Sequence, residues 1–455
     1  MPVFYASRPD RATASEHLQH FPVAQRLPLG YSRVMSTASS RTGARHVAVI
    51  GAGIVGMCAA RALQRDGAAV TVIDPLPPGR GTSFGNAGGM AVTEVVPLAL
   101  PGTTWRVPAW LMDPLGPLTI RWSYLPHLVP WLWRFWRAST LARAEAAAKA
   151  LASLHASAYD DYAPLLAEAG IRDLLRRQGC ISLYQSEAAL RHDALEWKLK
   201  ARHGVRVERL GPEELRQMEP ALAPVFAAGM FMPDWSHVAD PYRVVAAIAE
   251  NFERQGGTLK AARAVQVETD AQGATAVRTE AGERIAFDQL VIAAGAWSGK
   301  LAASLGSKVP LESERGYHTT LPVPGVAVNR MLHSAEGGFV VTPMAMGLRL
   351  AGTVELGGLD LPPDYARAKV LVTRAKRFLP GLNAEGGTEW MGHRPSLPDS
   401  LPVIARSPHF ANLFYAFGHG HLGLTEGATT GRIIAALAAG RDPGIDLKPF
   451  RIERF

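Results

Sequence analysis

The chain has 455 residues, 47% apolar and 19% charged, an ordinary globular composition in a length that exceeds one small core. Its formal charge of +8 is scattered among acids rather than gathered in a basic stripe with stacking aromatics, which argues against nucleic acid and leaves an anionic substrate or a membrane surface. Two cysteines without C-x-x-C spacing, Cys58 and Cys180, support neither a disulfide framework nor a metal site, and Cys58 reads as a small buried apolar residue.

Residues 1–44 carry Arg8, Arg11, Arg26, Arg33 and Arg41 among Ser, Thr and Pro, with no apolar core of the kind a secretory signal needs. They read as a disordered or non-native extension. The chain then changes character. Val47 to Ile50 is an apolar strand pattern that feeds Gly51, Gly53 and Gly56, an Ala-rich helical pattern, and a second apolar run closed by Asp74. This is the G-x-G-x-x-G dinucleotide fingerprint in strand-turn-helix-strand context. Gly51 permits the tight turn, Gly53 admits a pyrophosphate, and Gly56 lets helix and strand pack closely, with the helix N-terminus facing the phosphates. Asp74 is placed to accept ribose hydroxyls and to repel a 2′-phosphate.

The Pro- and Gly-dense stretch after Asp74 predicts a tightly turned loop in which Thr82, Ser83 and Asn86 offer short polar side chains. Trp105 to Arg137 holds Trp131, Trp133 and Trp136 around Phe135. It is expected to be a buried helix, with a segment lying in a membrane interface as the alternative. No apolar run reaches the roughly 18 residues of a membrane span. Leu141 to Glu168 predicts one long helix, followed by shorter ones to Arg177. Short strands are expected at Gly179 to Tyr184 and Ala228 to Met232, with helices at Leu190 to His203 and Pro212 to Met218. Asp240 and Pro241 predict a capped helix. Val265 to Thr269, Ala274 to Thr279 and Ile285 to Phe287 predict a β-meander. It leads to LVIAAGAWS, Leu290 to Ser298, whose small residues lie where a side chain would collide with a nucleotide under the first Gly-rich turn. No second Gly-rich fingerprint and no redox cysteine pair follow, so one dinucleotide is expected, and the resemblance of this strand to that of FAD proteins of the glutathione-reductase type implies FAD rather than NAD.

Together VIGAGIVG, GTSFGNAGG, ADPYRVV, VIAAGAWS, RGYHTTLP, GHRPSLPDSLPVI and GHGHLGLTEGATTG resemble the D-amino-acid oxidase superfamily, and most the small subunit of bacterial D-amino-acid dehydrogenases. The resemblance implies an α/β fold, with a glutathione-reductase-type Rossmann FAD domain (45–104, 235–305 and 390–455) interleaved with an α+β, antiparallel-sheet substrate domain (105–234 and 306–389). FAD is expected to be noncovalent, and no metal is expected. Expected cofactor contacts are Gly51, Gly53, Ile54, Val55 and Gly56; then Asp74, Pro75, Arg80, Thr82, Ser83, Asn86, Ala87 and Gly88. Val265, Ala294, Gly295 and Trp297 follow, and last Gly392, Arg394, Gly420, His421, Leu422, Gly423, Leu424 and Thr425. Arg394, after Gly392 and His393 and before Pro395, is the expected two-pronged receptor for a substrate carboxylate. Gly418 to Gly423 is expected to be a loop against the flavin, leading into a helix that begins near Thr425. Tyr317 and His318 are expected to line the pocket, and His419 and His421 are candidate bases. RGYH departs from the KGYS of common D-amino-acid dehydrogenases, which leaves the substrate side chain open. Arg349 is an alternative carboxylate partner, with a sheet-edge salt bridge the simpler reading.

The implied reaction is oxidative deamination of a D-amino acid to a 2-oxo acid and ammonia, by hydride transfer from Cα to flavin N5. Electrons would pass to a quinone or another acceptor. The alternatives are a dehydrogenase or oxidase of a secondary amine or imino acid such as hydroxy-D-proline, sarcosine or an opine, or a flavin-carrying subunit of a larger dehydrogenase. The expected place is the cytoplasm, with peripheral contact at the inner membrane face through the Trp-rich segment as the alternative. Oligomeric state is left open.

Overall fold

The computed structural model describes residues 44–113 and 116–455, so the expected N-terminal extension lies outside the described residues apart from Ala44. β1 (His46–Ile50), buried on both faces, leads through the Gly-rich turn into α1 (Ile54–Arg65) and then β2 (Ala69–Asp74). The Pro/Gly-rich loop beyond Asp74 contains a single 3-10 turn, Thr82–Gly85, and the short β3 (Gly89–Met90). Next come α2 (Leu125–Ala138), α3 (Leu141–His155), α4 (Ala158–Glu168), β4 (Cys180–Tyr184) and β5 (Ala228–Met232). α5 (Pro241–Arg254) returns the chain through β6 (Thr258–Ala261) and β7 (Gln289–Ile292) to the first sheet. β8 (Glu312–Leu321), β9 (Met331–Ser334), β10 (Phe339–Met344), β11 (Gly347–Leu356), α6 (Ala366–Ala375) and β12 (Thr388–Ser396) follow. β13 (Val403–Arg406), β14 (Leu413–Phe417) and α7 (Gly423–Ala438) complete the set used below.

Two large sheets share these strands apart from β3, which pairs with Ser236–Val238 in a small three-stranded sheet. The first has the order β6-β2-β1-β7-β14-β13, parallel except for the edge strand β13. Its interior strands read as continuous apolar runs because both faces are covered, one by helices including α1, α5 and α7 and the other by the meander strands around Val267, Ala274 and Val277. The second sheet is nine-stranded and runs β12-β8-β11-β10-β9-β4-β5 to an edge at Glu208–Leu210, with Leu118–Ile120 added beside β11. The meander predicted after Val265 is a separate three-stranded sheet, Ala264–Asp270, Gly273–Thr279 and Arg284–Ala286.

Helix breaks are where periodicity misleads. The single helix expected over Leu141 to Glu168 is two, because Ser157 leaves helical geometry and Asp160 and Asp161 open a new first turn, with Ser157 Oγ donating to Asp161 at 2.8 Å. Leu190 to His203 is divided at Asp193 in the same way. Beyond Glu168 the expected short helices reduce to one 3-10 turn, and Leu175–Arg176 pairs as a strand with Ser236–Val238. The Trp-rich helix α2 buries Trp131 and exposes Trp133 and Trp136, so neither of the two expectations for it describes the whole helix. α5 begins as predicted, with Asp240 accepting the Arg243 N–H at 3.1 Å and Pro241 in the first turn.

α1 and α7 lie side by side in the apolar core. A Cβ added at Gly431 would stand 2.6 Å from the Cys58 carbonyl oxygen, and one at Gly427 would stand 2.9 Å from the Tyr162 hydroxyl. Cys58 is buried in that contact, and burial pushes its thiol up to about 12. The obstruction at Gly431 is backbone, which cannot rotate away. Gly431→Val is therefore expected to destabilise the fold by about 1–3 kcal/mol, seen as a lowered thermal midpoint; an unchanged midpoint would show that the helix pair has slack.

Candidate active site

The first turn is held by close backbone contacts. Gly51 has φ of +114°, and a Cβ there would fall 2.3 Å from the Ala293 oxygen; one at Gly56 would fall 1.9 Å from the Gly51 oxygen. Both positions require glycine, for conformation at the first and for space at the second. Asp74 ties the turn to the end of β2: its Oδ2 accepts the Ala52 N–H and its Oδ1 the Leu76 N–H, both at 2.8 Å. Burial raises its carboxyl above the usual range, and each oxygen keeps a lone pair for a further donor. Ser83 Oγ accepts the Ile54 N–H at 3.0 Å, which docks the 3-10 turn on the start of α1.

These elements border a cavity of about 490 Å³. Gly51, Gly53, Ile54, Val55, Asp74, Pro75, Thr82, Ser83 and Asn86 line it, as do Val265, Ala294, Gly295, Trp297, Gly420, Gly423 and Leu424. Helix α7 starts at Gly423, two residues earlier than expected, so it is Gly423 and Leu424 whose first-turn N–H groups open on the space. Glycine there reads as loop, which hid the start. The cavity thus has the N-termini of α1 and α7 on its wall, small residues where backbone must approach, and the cations Arg263 and Lys300 at its border. That donor set suits an elongated dinucleotide with an anionic centre, and FAD fits it. Arg263 and Lys300 are not singled out by the sequence, because no local pattern marks residues brought in from distant elements, while Ala52 and Pro395 stand beside residues that are.

Several expected contacts stand behind the wall. Gly56 packs on Gly51, and Arg80 is layered on Phe84 and Tyr242, 5.2 and 4.2 Å from their ring centres. Gly88 is paired to Val238, beside partly buried Ala87. Leu422 caps α7, and Thr425 Oγ1 accepts the Ala91 N–H at 2.9 Å. Gly392 leaves room for the Trp390 ring.

Register decides the remaining side chains. β8 pairs with β12 so that Glu314 faces Arg394, Gly316 faces Gly392 and His318 faces Trp390, all on one face of the sheet. A Cβ at Gly316 would come within 2.4 Å of the Arg394 guanidinium carbon, so the missing side chain is what gives that group its place. Among the described residues no hydrogen bond or ion pair ends on the Arg394 guanidinium; the neighbouring Glu314 carboxyl, pushed up by burial, is engaged by Ser396 at 2.8 Å. His421 has an accessible ring that is nonetheless walled by protein, and desolvation with the Arg394 charge lowers it to about 4.

Tyr317 corrects an expectation. It points to the opposite face, where its hydroxyl donates to Glu355 and accepts the Asp364 N–H at 2.9 Å, within a cluster that includes Arg121 and Arg315. A one-residue step in a strand reverses the face, which puts Tyr317 out of reach of a carboxylate on Arg394. His318 stacks on Trp390 at 5.2 Å and its Nδ1 bonds the Gly85 carbonyl at 3.0 Å, so it holds the 3-10 turn. Among the described residues Arg349 makes no sheet-edge salt bridge: it donates to the Asn86 carbonyl at 2.6 Å and to Thr320 at 3.1 Å, holding the same turn. His419 lines the cavity, and its Nε2 meets Thr430 Oγ1 at 3.0 Å. A buried pair, His155 at the end of α3 and Glu426 in the first turn of α7, meets at 3.0 Å and was not signalled by any motif.

Burial lowers His318 and His419 to about 3. Above about pH 6.5 both folded and unfolded chains leave such a ring neutral; below it the unfolded chain takes the proton and the folded one does not, so each ring withdraws stability as pH falls toward 3. The buried carboxyls Glu314 and Glu426, raised by burial, act in the opposite sense. His419→Gln, which keeps a partner for Thr430, is expected to flatten the fall in thermal midpoint between about pH 6 and 4; an unchanged slope would show that His419 is solvated.

The DAO family, described as FAD dependent oxidoreductase, matches residues 46–437. The chain is 41% identical over 418 residues to a D-amino-acid oxidase of Bradyrhizobium diazoefficiens, covering 90% of this chain and 99% of that one. It is 32% identical over 426 residues to a D-amino acid dehydrogenase of Paramagnetospirillum magneticum, covering 90% and 98%. The fold is similar to that of glycine oxidase from Geobacillus kaustophilus, with a TM-score of 0.69 at 22% identity over 90% of this chain and 99% of that one.

Proposed function

Because this chain belongs to the DAO family of FAD-dependent oxidoreductases, we propose that it oxidises primary D-amino acids to 2-oxo acids and ammonia, with Arg394 as the carboxylate receptor. The observation that carries this reading is the Arg394 guanidinium, seated over Gly316 with no acceptor of its own among the described residues. A planar fork of donors in a half-buried place binds a carboxylate in two-pronged geometry and fixes the orientation of Cα. FAD held against the Gly51–Gly56 turn and the first turns of α1 and α7 would supply the acceptor for hydride from Cα and the route for electrons to a quinone or another acceptor. The chain's own residues supply orientation and electrostatics. Gly423 and Leu424 offer helix N-terminal N–H groups toward the cavity, where they favour negative charge. His419, neutral down to about pH 3 and bonded to Thr430, positions the Gly418 to Gly423 loop and is a poor base. His421, close to the Arg394 charge, stays neutral in the working range and so leaves the amine to arrive in its unprotonated form.

Names of relatives also support the choice of substrate: one is a D-amino-acid oxidase and others are D-amino acid dehydrogenases. They differ in the acceptor implied, oxygen for the first and another acceptor for the second. A cytoplasmic enzyme that meets a quinone at the membrane surface belongs to the same proposal. No helix among the described residues is long and apolar enough to cross a membrane.

Arg394→Ala is expected to raise KM for D-amino acids about a hundredfold, since it removes one partner of a desolvated charge pair, while the visible spectrum of bound flavin stays as it was. Arg394→Lys should recover little, because an ammonium has no fork. Unchanged KM in both variants, measured with ammonia and 2-oxo acid as products, would remove Arg394 from the site.

A further inference from the structure

Between Asp113 and Glu145 the sequence has no acidic residue and four arginines, Arg121, Arg134, Arg137 and Arg143. Helix α2 lies in the middle of this stretch and is apolar on two sides. Leu128 and Trp131 pack inward against Ile120 and Leu356. Val129, Trp133 and Trp136, spaced by four and three residues, form a second stripe that is 53%, 51% and 60% exposed. Trp122, 72% exposed, continues it ahead of the helix. Scattered single hydrophobics need no explanation, but two tryptophans and a valine on one helix face, with a third exposed tryptophan just ahead of it, do.

Among the described residues the cations beside the stripe carry no counter-charge. Arg137 lies over the Trp133 ring at 4.7 Å, Arg134 donates to the Pro130 carbonyl at 3.3 Å, and Arg143 donates to the Arg137 carbonyl at 3.0 Å. Among the described residues none of the three forms an ion pair with an acid. Indoles interleaved with unpaired guanidinium groups match the boundary between apolar chains and anionic headgroups, where the ring is half immersed and the cation meets phosphate. With 14 residues, α2 is about 21 Å long, a length that lies along such a surface.

We propose that this face docks the enzyme on an anionic lipid surface, with Trp122, Val129, Trp133 and Trp136 at headgroup level and Arg134 and Arg137 on lipid phosphates. The inference deepens the reading of a membrane-borne electron acceptor, yet it stands on residues outside the cavity, so the two fail separately. The docking segment is anchored to the substrate sheet: the Tyr124 hydroxyl donates to Glu312 at 3.1 Å, and Arg121 pairs with Glu355 and donates to the Pro362 carbonyl at 2.9 Å. Glu312 belongs to β8, which pairs with the strand that carries Arg394, and Glu355 to β11 on the other side of β8, so the docking helix and the site are supported by one sheet.

The test is cosedimentation of the full-length, flavin-loaded protein with phosphatidylcholine vesicles, with and without phosphatidylglycerol. Binding is expected with phosphatidylglycerol and to weaken as salt is raised. It should fall about tenfold or more in the Trp133→Ser/Trp136→Ser variant and in the Arg134→Glu/Arg137→Glu variant. Flavin bleaching by amine substrate in solution, which reports an intact fold and site, should be the same in all three proteins. Wild-type protein that ignores phosphatidylglycerol vesicles would overturn the proposal, as would binding that both double variants retain. Self-association abolished by the Trp variant, without vesicle binding, would overturn it too and give the face to a second copy of the chain.

Discussion

Glycine at 427 and 431 lets α7 lie against α1 more closely than side chains would permit, and the cavity depends on that contact. A Cβ at Gly423 would touch Ile54 and Val55, and one at Gly431 would strike the Cys58 carbonyl, so the helices run in parallel with their first turns level. Two N-termini therefore open on the same space. Their combined partial positive charge, in a region screened from water, is what suits the cavity to an anionic dinucleotide and to negative charge that develops on it. The same contact brings the Gly418 to Gly423 loop beside β12, where the Gly420 N–H donates to the Pro395 carbonyl at 2.8 Å. Arg394 immediately precedes Pro395, which lines the cavity, so the helix pair also helps to place the strand that carries the guanidinium.

Ionisable groups near the site divide by use. His318 and Arg349 both bond backbone carbonyls of residues 84–86 and fix the 3-10 turn that caps α1. His419 bonds Thr430 within α7. All three are desolvated and all three have partners, which marks them as supports. Arg394 alone among this group combines a desolvated place with unfilled donors, and that contrast is the physical basis for giving it the substrate.

The local parts of this site were legible in the sequence because their chemistry is local. Gly51, Gly53 and Gly56 follow an apolar strand at fixed spacing, Asp74 ends the next strand, and Ala293 and Ala294 close a third with small residues; each signal needs only a short window. Faces and partners were not legible. Tyr317 and His318 are neighbours, and only pairing with β12 shows that His318 shares a face with Arg394 while Tyr317 joins Glu355 on the other. Arg263 and Lys300 reach the cavity from elements far along the chain, and His155 meets Glu426 across 271 positions. The break at Ser157 hid for another reason: alanine and leucine keep helical spacing across it, and one polar residue with two following acids was the sole sign of a new helix start.

The central claim is that the cavity and Arg394 together present a D-amino acid to a bound flavin. Its most direct test is an anaerobic titration of the flavin-loaded protein with primary D-amino acids, their L-enantiomers and N-alkyl or proline-type amines, following the visible absorbance of the flavin. Bleaching by primary D-amino acids, with their L-enantiomers inert, is the predicted result. Bleaching by the secondary amines alone, or by none of the compounds, would contradict it.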